Sequence, residues 1–169
     1  MYIYLNHNHT NFKLGSQTLL EVISYCYLGI TIHNSGRFNL AREELKKKSF
    51  RSLYGMKSTI NKKHLSFRSL TTLFDSLIKP IALHGAPLWT PNMSIIKHIG
   101  KCGSSIPNCD NSSLISKFSL LNCEKVHLHF LKWALGVNKK TSNVGVWGES
   151  GRYPLVFECI NITLKYLNT

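Results

Sequence analysis

The hydrophobic period of the chain changes once, near Phe38. Before that point apolar and polar residues follow the short period of strands. Phe12-Lys13-Leu14 and Thr18-Leu19-Leu20-Glu21-Val22 flank Gly15-Ser16-Gln17, which predicts a β-hairpin with a short turn. Ser24 to Ile32 is rich in aromatic and β-branched residues and is expected to form a third strand. Asn34-Ser35-Gly36 should end it, because Asn and Gly tolerate the positive φ of a tight turn. Tyr25 and Tyr27, two positions apart, share one face of that strand.

From Phe38 the apolar residues recur at helical spacing. Phe38, Ala41, Leu45, Leu53, Met56 and Ile60 make one stripe, with Ser49 as its weak point. Arg42, Lys46, Lys47, Arg51 and Lys57 project from other faces. Glu43 with Lys47 and Glu44 with Lys48 are spaced for i,i+4 pairing. A second helix is expected from about Ser66 to Lys79, with Leu70, Leu73, Phe74, Leu77, Ile78 and Ile81 as its apolar stripe. Pro80 should kink or end it, since proline has no N–H and crowds the preceding turn. The run Ile81 to Trp89 reads as a short continuation packed on the core. Residues 100–113 are dense in Gly, Ser, Asn and Pro and read as a loop. A third helix, roughly Leu114 to Leu135, should bury Ile115, Phe118, Val126, Phe130 and Trp133 and close at Gly136. A last helix is expected from Pro154 to about Leu167. The pattern predicts an α+β, mostly helical fold. Its parts are a short antiparallel β unit (1–36), a basic helical region (37–99), a loop (100–113) and a C-terminal helical region (114–169).

Composition narrows the function classes. The 169 residues, 43% hydrophobic and 17% charged, are enough for one domain with a real core. No apolar run approaches the roughly 18 residues that span a bilayer, and Met1–Leu5 lacks the basic start of a signal peptide. A soluble intracellular chain without a membrane partner is therefore expected, with nucleus and cytoplasm both open. Against 8 acidic residues stand 21 Lys and Arg, a net charge of +13. Such an excess points to a polyanionic partner, because each cation docked on a phosphate releases condensed counterions.

Candidate chemistry is sparse. The five cysteines include no CxxC, so neither a disulfide framework nor a zinc ribbon is suggested. Cys123 and His127 lie one helical turn apart and could share a metal face. Cys102 and Cys109 would have to complete the set at a spacing that matches no common finger, so buried thiols are the expectation. Two-metal catalysis requires converging carboxylates, yet the aspartates are only Asp75 and Asp110, and the adjacent Glu43 and Glu44 diverge on a helix. No nucleophile elbow or phosphate-binding glycine loop occurs. The chain is thus expected to hold no catalytic residues, metal or cofactor, to take no small-molecule substrate and to be no enzyme as it stands. The positive signal is the cationic row Lys46, Lys47, Arg51, Lys57, Lys62 and Lys63. Its members suit a phosphate backbone, which positions a duplex without reading its sequence.

Several motifs occur in a telling order. Phe12-Lys13-Leu14-Gly15 and Tyr25-Cys26-Tyr27-Leu28-Gly29-Ile30 come first. Gly36-Arg37-Phe38 and the basic helix follow, then Leu73–Ile81 with His84-Gly85 and Trp89, and last Leu135-Gly136-Val137 through Gly148-Glu149-Ser150-Gly151-Arg152-Tyr153-Pro154-Leu155. From about Phe12 to Leu155 this series resembles the segment downstream of the catalytic palm in reverse transcriptases of non-LTR retrotransposons. The resemblance implies that Tyr25, Tyr27, Leu28 and Gly29 are similar to the primer grip and that the helices look like the thumb and the start of the following linker. It implies an RNA template/DNA primer duplex as partner, with Mg²⁺ and deoxynucleotides belonging only to the intact parent polymerase. The family's Tyr-x-Asp-Asp motif is missing from this sequence. His84-Gly85-Ala86-Pro87-Leu88-Trp89 also lacks the acidic residue usual there, and Ser150 stands where the family has leucine. The alternatives are an inactive, truncated remnant of such an element and an unrelated basic helical interaction module.

Overall fold

The computed structural model describes residues 13–18, 22–90 and 121–168. The expected loop at 100–113, the start of the third helix with Ile115 and Phe118, and Cys102, Cys109 and Asp110 lie outside the described residues. The chain divides into two compact units, Met1–Glu43 and Glu44–Thr169. The observed class is mostly helical α+β, with antiparallel strands at the N-terminal end.

In the first unit, β1 (Lys13–Leu14) and β2 (Gln17–Thr18) pair antiparallel around Gly15-Ser16, with Leu14 opposite Gln17. Gly15 supplies the positive φ of this turn, +63°. The expected third strand is corrected by the structure. Residues 24–33 fold back on themselves as β3 (Ser24–Tyr27) and β4 (Ile30–His33), with Tyr27 opposite Ile30. The two-residue turn is Leu28-Gly29, with φ of +48° and +82°, the pair of positive φ values that matches strand twist in tight hairpins. Glycine adopts this at little cost, whereas the Cβ of Leu28 meets its own carbonyl, a strain of about 1–2 kcal/mol. A leucine at the first turn position hides the turn from a sequence reading, which looks there for Asn, Asp or Gly. The turn expected at Asn34-Ser35-Gly36 is present. The Gly36 N–H donates to the His33 carbonyl at 2.9 Å, and Gly36 takes φ +66°.

Helix α1 (Asn39–Thr59) carries the long apolar stripe. Ala41, Leu45, Leu53 and Met56 are buried. Ser49 is buried as well, and its hydroxyl donates to the Leu45 carbonyl at 2.7 Å. The polar residue in the stripe is thereby satisfied within its own helix. A 3₁₀ turn (Lys62–His64) follows, and Ser66 caps α2 (Phe67–Leu73) by accepting the Ser69 N–H at 3.1 Å. This helix runs through a π turn (Phe74–Ile78) into α3 (Lys79–Ala82). The Lys79 N–H donates to the Phe74 carbonyl five residues back. Pro80 therefore neither breaks the rod nor meets a regular preceding turn, because the wider π turn relieves the crowding. The extra residue also shifts the stripe. Phe74 and Ile78 are fully buried, while Leu77, expected in the core, is 51% exposed.

After a turn at Gly85, the short α4 (Ala86–Trp89) buries Trp89, whose indole N–H donates to the His84 carbonyl at 2.8 Å. Helix α5 (Asn122–Leu135) buries Val126 and Phe130 as expected. It ends as expected at Gly136, in the left-handed conformation. The Gly136 N–H bonds to the Trp133 carbonyl and that of Val137 to the Lys132 carbonyl, the paired bonds of a Schellman cap. Trp133 is half-buried, because Lys57 and Lys62 sit over its ring. Helix α6 (Asn143–Ser150) and helix α7 (Leu155–Leu167) complete the described chain.

The core of the second unit has an aromatic and a polar part. Phe74 stacks on Phe130 at 4.4 Å between ring centroids and on His127 at 5.5 Å. Behind them lies the side chain of Glu124, which has no exposed surface. Its Oε1 accepts the Trp147 indole N–H at 2.9 Å and lies 2.9 Å from His127 Nδ1. Its Oε2 accepts the Leu155 backbone N–H at 2.6 Å. A second tie joins α7's approach to the π turn: the Arg152 guanidinium grips the Asp75 carboxylate with two bonds, 3.0 and 2.6 Å. Lys79 bridges Glu158, at 3.0 Å, and Asp75, at 3.5 Å. Glu124→Ala would strand two buried N–H groups and leave a void, so a loss of about 3–5 kcal/mol is expected. Urea unfolding followed by Trp fluorescence measures it. A loss near zero would mean that these bonds do not hold the helices.

Candidate nucleic-acid interface

The predicted cationic residues fall into two groups in the structure. Lys47 and Arg51, one turn apart on α1, are exposed, and Lys46 is half-buried beside them. Lys63 is exposed on the 3₁₀ turn. Lys57 and Lys62 are different: both are folded against Trp133. The Lys57 ammonium lies 5.0 Å from the Trp133 ring centroid and 5.8 Å from that of Tyr54. The Lys62 ammonium lies 5.8 Å from the Trp133 ring and donates to the Trp133 carbonyl at 2.6 Å. A Cβ at Gly136 would come within 3.2 Å of that ammonium, so the glycine that caps α5 also leaves room for Lys62.

Aromatic rings frame these cations. Phe50 and Tyr54, one turn apart on α1, stack at 6.0 Å, and both meet His129 of α5 edge-on, at 5.5 and 5.7 Å. Tyr54 is 55% exposed. Cation–π contacts of this kind stabilise an ammonium that has lost part of its water. The loss is nevertheless felt. Burial, then the charge of Lys139, lowers the Lys57 pKa to about 8. Burial, then Lys57 and Lys139, lowers that of His129. No carboxylate among the described residues pairs with Lys57, Lys62 or Lys139.

Sequence reasoning placed Trp133 in the core of the third helix and gave no role to His129 or Lys139. Lys62 and its acceptor in Trp133 are 71 positions apart, a separation that carries no linear signal. The grip-like residues Tyr25, Tyr27, Leu28 and Gly29 belong to the first unit, where Leu28-Gly29 is the hairpin turn and both tyrosines are exposed. The metal face considered for Cys123 and His127 is partly engaged, with the buried His127 Nε2 left without a hydrogen-bond partner among the described residues. His127 Nδ1 is taken up with Glu124. Cys123 instead hydrogen-bonds Cys159, and that bond, then burial, pushes the Cys159 thiol far up. Among the described residues no group of three or more His, Cys, Asp or Glu could hold a metal, and no helix is long and apolar enough to cross a membrane. No family model, curated protein or solved structure matches the chain.

The shifted groups set the pH dependence of stability. Because Lys57 releases its proton near pH 8 when folded but near 10.5 when unfolded, the unfolded chain binds more protons between those values. Stability therefore rises with pH across that window. For His129 the lowered pKa has the same sign, with stability falling as pH drops below about 6.5. Urea midpoints of wild type and Lys57→Met, compared from pH 7.5 to 10.5, should show the wild type gaining on the variant as pH rises. Parallel curves would contradict the desolvation of Lys57.

Proposed function

We propose that this chain is the primer–template-holding portion of a non-LTR retrotransposon type of reverse transcriptase, and that it grips an RNA/DNA duplex through its phosphates without a reaction of its own. One observation carries the reading. The apolar stripe of α1 is buried, while the same rigid helix presents Lys47 and Arg51 to solvent, with no carboxylate partner among the described residues. Four residues of helix separate them by about 6 Å along the axis, so both reach one strand of a backbone. Towards its C-terminal end α1 adds Lys57, and Lys62 and Lys63 follow in the next turn. The net charge of +13 and the collinear resemblance point the same way. In this reading Mg²⁺ and nucleotide chemistry belong to the polymerase of which the chain is a part.

Backbone contacts of this sort are sensitive to salt and indifferent to base sequence. Anisotropy titration of a labelled RNA/DNA hybrid should show binding at low salt that weakens steeply as salt is added, equally for scrambled sequences. The double variant Lys47→Gln/Arg51→Gln should reduce the slope of log affinity against log salt by about two. Failure of the wild type to bind hybrid, duplex or single strand at low salt would end this reading.

A further inference from the structure

We propose that Lys57, with Lys62 and Lys139 beside it, forms a phosphate seat on the second unit, framed by Tyr54 and Trp133, that takes one backbone phosphate of a bound nucleic-acid strand. The inference rests on the nucleic-acid reading above and goes beyond it: it assigns one phosphate to one ammonium and makes binding there proton-linked.

The geometry is unusual for surface lysines. An exposed lysine keeps its hydration and roams over many rotamers, so it contributes little to a defined site. Lys57 is instead confined over two rings, at 5.0 Å from Trp133 and 5.8 Å from Tyr54. Those rings are themselves fixed, Tyr54 by Phe50 and His129, and Trp133 by Phe130 at 6.2 Å. Lys62 is likewise held, one of its N–H groups spent on the Trp133 carbonyl at 2.6 Å and two left over.

Among the described residues, the charged and titratable groups around Lys57 include no carboxylate. Tyr54 of α1 lies under its ammonium, His129 of α5 and Lys139 of the following loop interact with its charge, and Lys62 of the 3₁₀ turn shares the Trp133 ring with it. An ammonium such as that of Lys57, partly dehydrated beside the charge of Lys139 and without a carboxylate partner among the described residues, is destabilised in the free protein and is relieved by an anion. The relief is directional in pH. A phosphate against the cluster favours the protonated form of Lys57, whose pKa of about 8 would rise on binding.

An ammonium held over two aromatic rings meets a phosphate oxygen as a point charge, the manner in which lysine binds phosphate.

The test uses the full chain and a labelled RNA/DNA hybrid, titrated at low salt from pH 7 to 9.5. The wild type should lose about five- to tenfold in affinity over that range as Lys57 is neutralised. Lys57→Gln should already be weaker by about that factor at pH 7, flat with pH, and lower in salt slope by about one. Lys57→Arg, which cannot deprotonate, should keep the wild-type affinity at pH 7 and lose the pH dependence. Calorimetry in two buffers of different ionisation enthalpy should show proton uptake near pH 8.5 for the wild type and none for Lys57→Arg. A Lys57→Arg protein with unchanged pH dependence and proton uptake overturns the seat while leaving nucleic-acid binding intact. A wild type that binds no nucleic acid at all overturns both.

Discussion

A carboxyl group cut off from water organises the second unit. Glu124 projects from α5 into a region where an unpaired polar group would be strongly unfavourable, and α6 and α7 supply its partners. Trp147 comes from α6 and the Leu155 N–H from the first turn of α7. Holding both ends of the α6–α7 connection against α5 places Arg152, which lies in that connection, against Asp75 of the π turn. One buried side chain thus sets the register of three helices and, through the arginine, ties them to a fourth element.

The same frame determines what α5 shows on its other side. With Glu124, His127 and Leu131 turned inwards, helical spacing leaves His129 and Trp133 half-exposed next to α1. The side chains of α1 that meet them are Phe50, Tyr54 and Lys57. Rings and cations are consequently packed together where a plain cationic face would have carried hydrated lysines. The energetic consequence is a cluster in which charge is partly dehydrated and repelled by its neighbours, as the lowered pKa values of Lys57 and His129 record. A helix that merely carries lysines attracts polyanions; one that also confines them discriminates where on its surface the anion settles.

Local irregularities mark where sequence periodicity was a poor guide. Pro80 reads as a break, yet the chain widens into a π turn just before it and continues. The added residue rotates Leu77 out of the core. Leu28 reads as a strand residue in an apolar run but occupies the left-handed region, where pairing of β3 with β4 compensates the strain. Ser49 reads as a flaw in a stripe and is satisfied by a bond within its own helix. In each case a neighbour's hydrogen bond or a ladder outweighed the residue's own preference.

The amino-acid order determined by itself those features that depend on neighbours along the chain. These are the change from strand to helix near Phe38, the turn at Asn34–Gly36, the core stripe of α1, the cap at Gly136, the start of the last helix near Pro154 and the strong positive charge. Each arises from backbone preference or from a spacing of two to four residues, which a linear reading captures. Only the tertiary structure decided that Glu124 is a buried junction and that Arg152 belongs to Asp75. It also decided which lysines stay open to solvent and which are drawn onto Trp133. These pairings join residues 23 to 77 positions apart. No local preference specifies such partners; they follow from which helix faces must be buried against one another before the polar groups on them can be satisfied.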